Sequence, residues 1–326
     1  MSIEKFNESV ENMKFKSVFS ICFIVLCMSV ALSLMWDISS IEKNLFEPIL
    51  VQVRVPRILL AMITGMGLTL AGHMFQTLLN NPLADSFTLG LSSGATFGSG
   101  LAVVFGLSFV WLPIFSIMFS VLTLILVLTL TMAMSKGYPM RTLILSGIMV
   151  GALFNAFLYV LIIFNERKLN NIINYMFGGF SSAEYHEVVY ISIVFILSII
   201  ILLTLMPSIK LLQLGELSAK SLGLNVTIVT YGVLLISSVL TAVIVAFVGI
   251  IGFIGMVIPQ IVRRQCNSFD LTQQMILNVT IGGIVMVIAD WIGGSLFQPL
   301  QIPASIVMAL LGIPVLFYMM VTEQRS

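Results

Sequence analysis

The chain has 326 residues, of which 59% are hydrophobic and only 9% are charged, and its formal net charge is +1. Soluble domains are about 45–50% apolar and about 25% charged, so this composition excludes ordinary soluble enzymes, nucleic-acid-binding proteins and disordered proteins. Three cysteines and two histidines lack the spacing of a disulfide framework or a zinc site. The mean hydropathy of +1.12 indicates a chain whose solvent is lipid.

Apolar runs recur along the whole sequence. A spanning helix needs about 20 mostly apolar residues, and nine runs approach that length, with a shorter, glycine-rich tenth at about 249–262. The ten runs cover about 17–36, 57–78, 91–111, 113–134, 141–164, 187–206, 226–247, 249–262, 275–292 and 303–321. None has the alternation of a barrel strand. We therefore predict an all-α, polytopic membrane helical bundle of about ten transmembrane helices over 17–321, between tails at 1–16 and 322–326.

The distribution of lysine and arginine predicts the orientation of this bundle. Ten crossings place both ends of the chain on one side of the membrane, and ten of the fifteen cations then fall on that side. Short cytoplasmic loops are enriched in lysine and arginine, so both termini are predicted to be cytoplasmic. An odd number of crossings would move the later loops to the other side.

The first informative loop is Arg54-Val55-Pro56-Arg57, on the predicted outer side just before the second span. Two arginines three residues apart at the start of a helix present two cations on nearly one face. Such arginines can simply extend their charged ends to the membrane interface. The alternative is that they dock acidic side chains of an external partner.

Two inner segments are also unusual. The turn that follows Gln76 is almost uncharged and contains the turn-forming pair Asn81-Pro82, so we expect it to be partly buried. The loop over about 207–225 contains Glu216 and Lys220, which can pair on a helix face. Glycines in this loop can end short helices, which predicts two short helices that dock a cytoplasmic partner. An amphipathic helix lying on the membrane is the alternative, although the loop lacks a cluster of basic residues.

Together these segments resemble the permease family of ABC importers for iron-siderophores, haem and cobalamin, the FecCD type. The resemblance covers roughly residues 50 to 320. Each pattern is weak alone, whereas their shared order and spacing is specific. The matching pieces are Arg54-Val55-Pro56-Arg57, Gly72 with Gln76, Asn81-Pro82-Leu83-Ala84, Leu89-Gly90, Gly94-Ala95, Leu214-Gly215-Glu216 with Ala219 and Leu222-Gly223, Gly249 to Pro259, Ala289-Asp290, and Ile302-Pro303 with Ala309 to Pro314.

The resemblance implies a ten-helix subunit of the bacterial plasma membrane that works within a larger assembly. Its expected partners are a second permease subunit, the same or homologous, two ATP-binding subunits and an extracytoplasmic substrate-binding lipoprotein or periplasmic protein. By the same resemblance, Arg54 and Arg57 dock acidic residues of that binding protein. The implied ATPase-coupling residues are Leu214, Gly215, Glu216, Ala219, Leu222 and Gly223.

Other matching positions are expected to be structural, and two positions depart from the family pattern. The structural set is Gln76, Asn81, Pro82, Gly90, Gly252, Gly255, Pro259 and Asp290. The family usually has His where this chain has Gln260, and Arg where it has Gly294. That Arg resembles a third docking cation, so outer docking is expected to be weaker or to use Arg167 or Lys168.

The sequence predicts a transport subunit and not an enzyme. It has no P-loop pattern, so ATP is expected to bind elsewhere, and no cofactor or metal is expected on this chain. A secondary transporter usually needs intramembrane carboxylates or histidines, for which Asp290 alone is thin support. A membrane enzyme would need clustered His, Asp or Glu, which we do not find. Iron-siderophore is the first expected cargo, with haem or cobalamin as alternatives, and homodimer or heterodimer stays open.

Overall fold

The structure is a computed structural model that describes residues 2–36, 43–108, 110–134, 140–165, 178–295 and 300–323. Within these ranges the secondary structure is helical, and a π-helical turn over Leu50–Arg54 joins α2 to α3. The helices are α1 (Ser2–Met35), α2 (Lys43–Ile49), α3 (Val55–Leu79), α4 (Leu91–Val104), α5 (Trp111–Met134), α6 (Met140–Phe164), α7 (Tyr185–Leu212), α8 (Glu216–Ser221), α9 (Val226–Val248), α10 (Ile254–Gln265), α11 (Leu271–Ser295) and α12 (Ala304–Glu323).

Each of the ten predicted apolar runs coincides with one of these helices. Among the described residues, seven helices are long and apolar enough to cross a bilayer, and they belong to α1, α3, α5, α6, α7, α9 and α11. The apolar parts of α4 and α12 are shorter, and α10 has only 12 residues. The helical, multi-pass architecture is therefore confirmed, while the number of ten crossings and the cytoplasmic position of the termini stay predictions.

The N-terminal segment is part of the first helix. Neither glycine nor proline occurs between Ser2 and Met35, so nothing in the sequence interrupts α1. A helix of 34 residues is about 51 Å long, whereas the hydrocarbon core of a bilayer is about 30 Å thick. From Ser2 to Lys16, the predicted polar tail thus belongs to the same helix as the apolar run that follows it. Most of the predicted C-terminal tail, 324–326, lies outside the described residues.

Helix α3 lies at the centre of the bundle, and glycines bring its backbone against two neighbours. A Cβ at Gly65 would overlap the carbonyl oxygen of Gly282 in α11, and one at Gly72 would overlap that of Gly255 in α10. Small residues allow such close approach. This packing is important in lipid because the hydrophobic effect contributes little to the association of membrane helices. The centre of α3 is therefore fixed by direct backbone contact with α10 and α11.

The chain is irregular between α9 and α10, as the glycine content of this run predicts. Gly249 and Phe253 both have positive φ, +83° and +70°. Irregular backbone at membrane depth has to be covered by protein, and the Gly179 N–H donates to the carbonyl of Val248 at 3.0 Å. Ile251 in the same turn is buried. Helix α10 therefore starts inside the protein and is about 18 Å long, little more than half a bilayer.

Candidate coupling loop and outer docking surface

The predicted coupling loop forms one short helix between two long ones. Helix α7 continues through Pro207 to Leu212, so the two predicted short helices are reduced to α8 alone. Glycines with positive φ flank α8, Gly215 at +97° and Gly223 at +81°. Since L side chains rarely adopt this conformation, both positions favour glycine. The loop thus holds α8 between the inner ends of α7 and α9.

One side of α8 packs against the protein, and the other side carries exposed apolar side chains. Ala219 is fully buried, whereas Leu217 is 83% exposed, and Leu214 and Leu222 are each 62% exposed. The Lys220 ammonium and the Glu216 carboxylate form the predicted ion pair, with Nζ and Oε1 2.6 Å apart. Because both groups are largely exposed, this pair adds little stability. The arrangement leaves three leucines around a rigid helix with no partner among the described residues.

A cavity of about 240 Å³ lies beside α8. Leu212 and Glu216 at the loop line its mouth, and Tyr231 of α9 lines its wall. The remaining lining residues are four leucines of α3, α5 and α6 and four residues of α9. The loop therefore shares this cavity with the ends of several helices, so a displacement of α8 would alter the space between them.

Both arginines predicted to dock a partner already contact this chain. Arg54 Nη1 donates to the carbonyl oxygens of Leu34 at 2.9 Å and Trp36 at 2.5 Å. The last carbonyls of a helix lack intrahelical partners, and a cation there also interacts favourably with the helix dipole. Arg54 therefore caps the outer end of α1. The docking role of both arginines stays a prediction, and it has to operate alongside these contacts.

Arg57 and Asp290 form an ion pair between the outer ends of α3 and α11. Arg57 Nε lies 2.7 Å from Asp290 Oδ2, and Nη2 lies 2.9 Å from Oδ1. The Asp290 side chain is only 7% exposed, and that of Arg57 is 21% exposed. Charges within spans are costly unless paired, and a bidentate pair is among the strongest available. Asp290 is thus satisfied inside the protein, in agreement with its expected structural role.

Gly294, where the family pattern has an arginine, lies against the Arg57 guanidinium. A Cβ at Gly294 would lie 2.9 Å from Arg57 Nη2, so the guanidinium occupies the volume that a side chain would need. Together with Arg54, Trp36 and Trp291, these residues line an outer cleft of about 170 Å³. Arg167 and Lys168, the predicted substitute cations, lie outside the described residues.

The turn after α3, on the predicted inner side, is partly buried, as its near lack of charge predicts. Asn80 ends α3 in the left-handed conformation, Asn81 Oδ1 accepts from the Leu83 N–H at 2.9 Å, and Pro82 lies between them. Asp85 Oδ1 accepts from the Thr88 N–H at 2.7 Å. Burial raises the pKa of the Asp85 carboxyl, against the lowering effect of its hydrogen bonds to Thr88. The turn packs on α6, where a Cβ at Gly90 would lie 2.6 Å from the carbonyl oxygen of Gly147.

Gln76 supplies a hydrogen bond that α10 cannot make for itself. In a regular helix the Gly255 carbonyl would accept from the residue at 259, but Pro259 has no N–H. Gln76 Nε2 lies 2.9 Å from the Met256 carbonyl oxygen and 3.4 Å from that of Gly255. The motif residues Gln76, Gly255 and Pro259 thus act together. Gly252 lies in the preceding turn with open space beside it, and Gln260 is buried.

Sequence reasoning missed one inner contact. Lys210 Nζ at the end of α7 lies 2.5 Å from Asp270 Oδ2, just before α11. The pKa of Asp270 is lowered: burial raises it, but the hydrogen bond and charge of Lys210 outweigh that effect. The sequence contains one indication of this contact: Lys210 and Asp270 both flank spans on the same predicted side of the membrane. In the described part of the chain, no three His, Cys, Asp or Glu side chains lie close enough to hold a metal ion.

Comparison with known proteins gives consistent matches across this architecture. The model of the FecCD transport family matches residues 16–322. The molybdate import system permease protein MolB of Haemophilus influenzae is 34% identical over 82% of this chain and 79% of its own length. The hemin transport system permease protein HmuU of Yersinia pestis is 30% identical over 92% of this chain and 91% of its own length.

A solved structure extends this similarity to the whole fold. It is described as an inward-facing conformation of a metal-chelate type ABC transporter. The TM-score is 0.82 at 30% sequence identity, and the match covers 94% of this chain and 99% of that one. The bundle described above is therefore shared over nearly its full length with a membrane transporter.

Proposed function

Because the chain belongs to the FecCD transport family, we propose that it is the permease subunit of an ATP-driven importer of a metal chelate. Iron-siderophore is the first candidate cargo, and haem or cobalamin is the alternative. Relatives named for hemin and for molybdate transport support a passage that related chains adapt to different metal compounds. The proposed location is the bacterial plasma membrane, with ATP hydrolysed by separate subunits on the cytoplasmic side.

The observation that carries this proposal is the exposed apolar surface of α8. Leu214, Leu217 and Leu222 stand out from the inner face, while Ala219 anchors the helix to the protein. Burying apolar area contributes about 25 cal/mol per Å², so an apolar groove on an ATPase subunit is the partner that this helix fits. The exposed Glu216–Lys220 pair at its side would set the orientation more than the affinity.

The mechanism follows from the connections of α8. It is joined through short glycine turns to α7 and α9, and Glu216 lies at the cavity formed by the inner ends of α3, α5 and α6. ATP-driven closure of two ATPase subunits would displace α8 and tilt the attached helices as rigid bodies. In a pair of permease subunits, that tilt would switch a passage between them from outward to inward access. An extracytoplasmic binding protein would deliver the cargo to the outer side, at the cleft beside Arg54 and Arg57.

An ion-coupled secondary transporter fits the structure less well. Such proteins use intramembrane charges that gain and lose a partner ion. Within the described spans, the carboxylate of Asp290 is held in a bidentate pair with Arg57. This pairing occupies one of the buried charged groups that the alternative could use as an ion site.

The test is uptake of a ferric hydroxamate into vesicles that contain the chain, the ATPase and the binding protein encoded beside it. Leu217→Ala should reduce both co-purification of the ATPase and ATP-dependent uptake by about tenfold, as expected for loss of a central apolar contact. Glu216→Lys should also reduce coupled uptake while the protein remains in the membrane. Leu197→Ala is the matched control, because Leu197 is 55% exposed on α7 outside the loop. Uptake that persists without the ATPase and follows an ion gradient would refute the proposal.

A further inference from the structure

Arg57 has donors left over after it binds Asp290. A guanidinium carries five N–H donors, and two of them, on Nε and Nη2, contact the Asp290 carboxylate. Within the described ranges, the other three have no hydrogen-bond acceptor. They lie at the outer cleft of about 170 Å³, which Arg54, Trp291 and Gln301 also line. A second carboxylate could therefore approach the same guanidinium from the cleft.

Asp290 cannot follow such a partner outward, because it is fixed within α11. Its side chain is 7% exposed and its helix packs tightly on α3 through Gly65 and Gly282. An arginine side chain is long and can turn, and the cleft that Arg57 lines leaves room for this movement. The mobile member of the pair is therefore Arg57.

We propose that Arg57 exchanges carboxylates: it binds Asp290 in the undocked permease and an acidic side chain of the extracytoplasmic binding protein when that protein docks. This inference rests on the proposed function. The exchange releases the outer end of α11 from α3 at the moment of docking. Occupation of the outer face is then linked to the packing of a helix that spans the bundle. Asp290 and the docking carboxylate compete for Arg57. The binding protein therefore binds the wild-type chain less tightly than it would bind a chain in which Arg57 had no internal partner.

Two independent substitutions weaken the competition of Asp290 for Arg57. Asp290→Asn takes away its charge, and Gly294→Ala places a Cβ 2.9 Å from Arg57 Nη2, which the flexible guanidinium can avoid by leaving Asp290. The matched control is Gly283→Ala in the same helix, where the new Cβ would meet the flexible side chains of Met66, at 3.0 Å, and Met62, at 3.4 Å. Gly283 lies far from the cleft along α11.

The experiment measures binding of the binding protein encoded beside this chain to the complete transporter in nanodiscs, over a range of salt concentrations. Asp290→Asn and Gly294→Ala should each tighten binding by about fivefold or more, a typical size for coupled sites. Arg57→Gln should weaken binding and abolish the gain from Asp290→Asn in the double variant. Gly283→Ala should bind as the wild type does, and thermal unfolding of every variant checks that it is folded.

The outcomes separate this inference from the proposed function. If the wild-type transporter neither binds that protein nor hydrolyses ATP in response to it, the proposed function fails. If the wild type binds but folded Gly294→Ala and Asp290→Asn bind no more tightly, the exchange is refuted and the proposed function stands. A gain from Asp290→Asn that survives in the Arg57→Gln background would also refute the exchange.

Discussion

The close approach of α3 and α10 predicts a large and specific effect of one added methyl group. In Gly72→Ala the new Cβ would overlap the carbonyl oxygen of Gly255 and lie 2.5 Å from its carbonyl carbon, against 3.4 Å for ordinary contact. The obstacle is backbone, so no side-chain rotation relieves it. The two helices would have to separate by about 1 Å, and the bonds from Gln76 to the α10 carbonyls would lengthen with them.

The magnitude follows from these two losses. Overpacking costs about 1–3 kcal/mol where side chains can adjust, and the upper end applies here because they cannot. The weakened hydrogen bond adds about 1 kcal/mol, while alanine regains about 1 kcal/mol through its helix propensity. We therefore expect Gly72→Ala to lower the free energy of unfolding by about 2–3 kcal/mol.

Two glycines in similar helices serve as controls. A Cβ at Gly232 in α9 meets nothing within 4 Å, so Gly232→Ala should stabilise the protein by about 0.5–1 kcal/mol. A Cβ at Gly67 meets the flexible end of Ile244 at 2.5 Å, so Gly67→Ala should fall between the other two. The assay is reversible unfolding in mixed detergent micelles, followed by the fluorescence of the three tryptophans. If Gly72→Ala and Gly232→Ala agree within about 0.5 kcal/mol, the reasoning is refuted.

Two further predictions concern buried polar groups. Asp85→Asn should keep the hydrogen bond from Thr88 but remove the cost of burying a charge. Since the folded state raises the pKa of Asp85, that cost is present above this pKa and disappears as pH falls through it. The variant should therefore melt higher than wild type at alkaline pH, and the difference should shrink as pH falls; a difference independent of pH would contradict this. Gln76→Leu should cost about 1–3 kcal/mol, because the Met256 and Gly255 carbonyls of α10 lose the donor that Gln76 supplies; an unchanged unfolding midpoint would argue against that role.

The parts of the fold that follow from local sequence were predictable. Apolar runs located the helices, and turn residues such as Asn81-Pro82 located the buried inner turn. The continuation of α7 through Pro207 was missed, because proline usually ends a helix in water but is tolerated in membrane helices whose neighbours satisfy the backbone. The first of the two predicted short helices is therefore the end of α7, and only the second is a separate helix, α8.

Contacts between residues that are far apart in the sequence could not be predicted from local sequence patterns. Arg57 and Asp290 are 233 positions apart, and only the packing of α3 on α11 brings them together. The sequence marked both as motif residues and assigned Arg57 to an external partner. Likewise it marked Gln76 and Pro259 separately, whereas in the structure Gln76 donates to the Met256 and Gly255 carbonyls in the turn of α10 where Pro259 has no N–H.

The two ion pairs of α11 also constrain the path of the chain through the membrane. Asp270 and Asp290 are 20 residues apart, or about 30 Å along a helix, which matches the thickness of the hydrocarbon core. If α11 crosses the bilayer, as its length and composition allow, the two residues lie near opposite membrane surfaces. Asp270 contacts Lys210, so these two residues lie on the same side. The chain from Lys210 to Asp270 therefore has to cross the bilayer an even number of times. Because α9 spans the bilayer, the 12-residue α10 must bring the chain back to the inner side. The short, irregular run therefore counts as a return crossing, which favours ten crossings over nine.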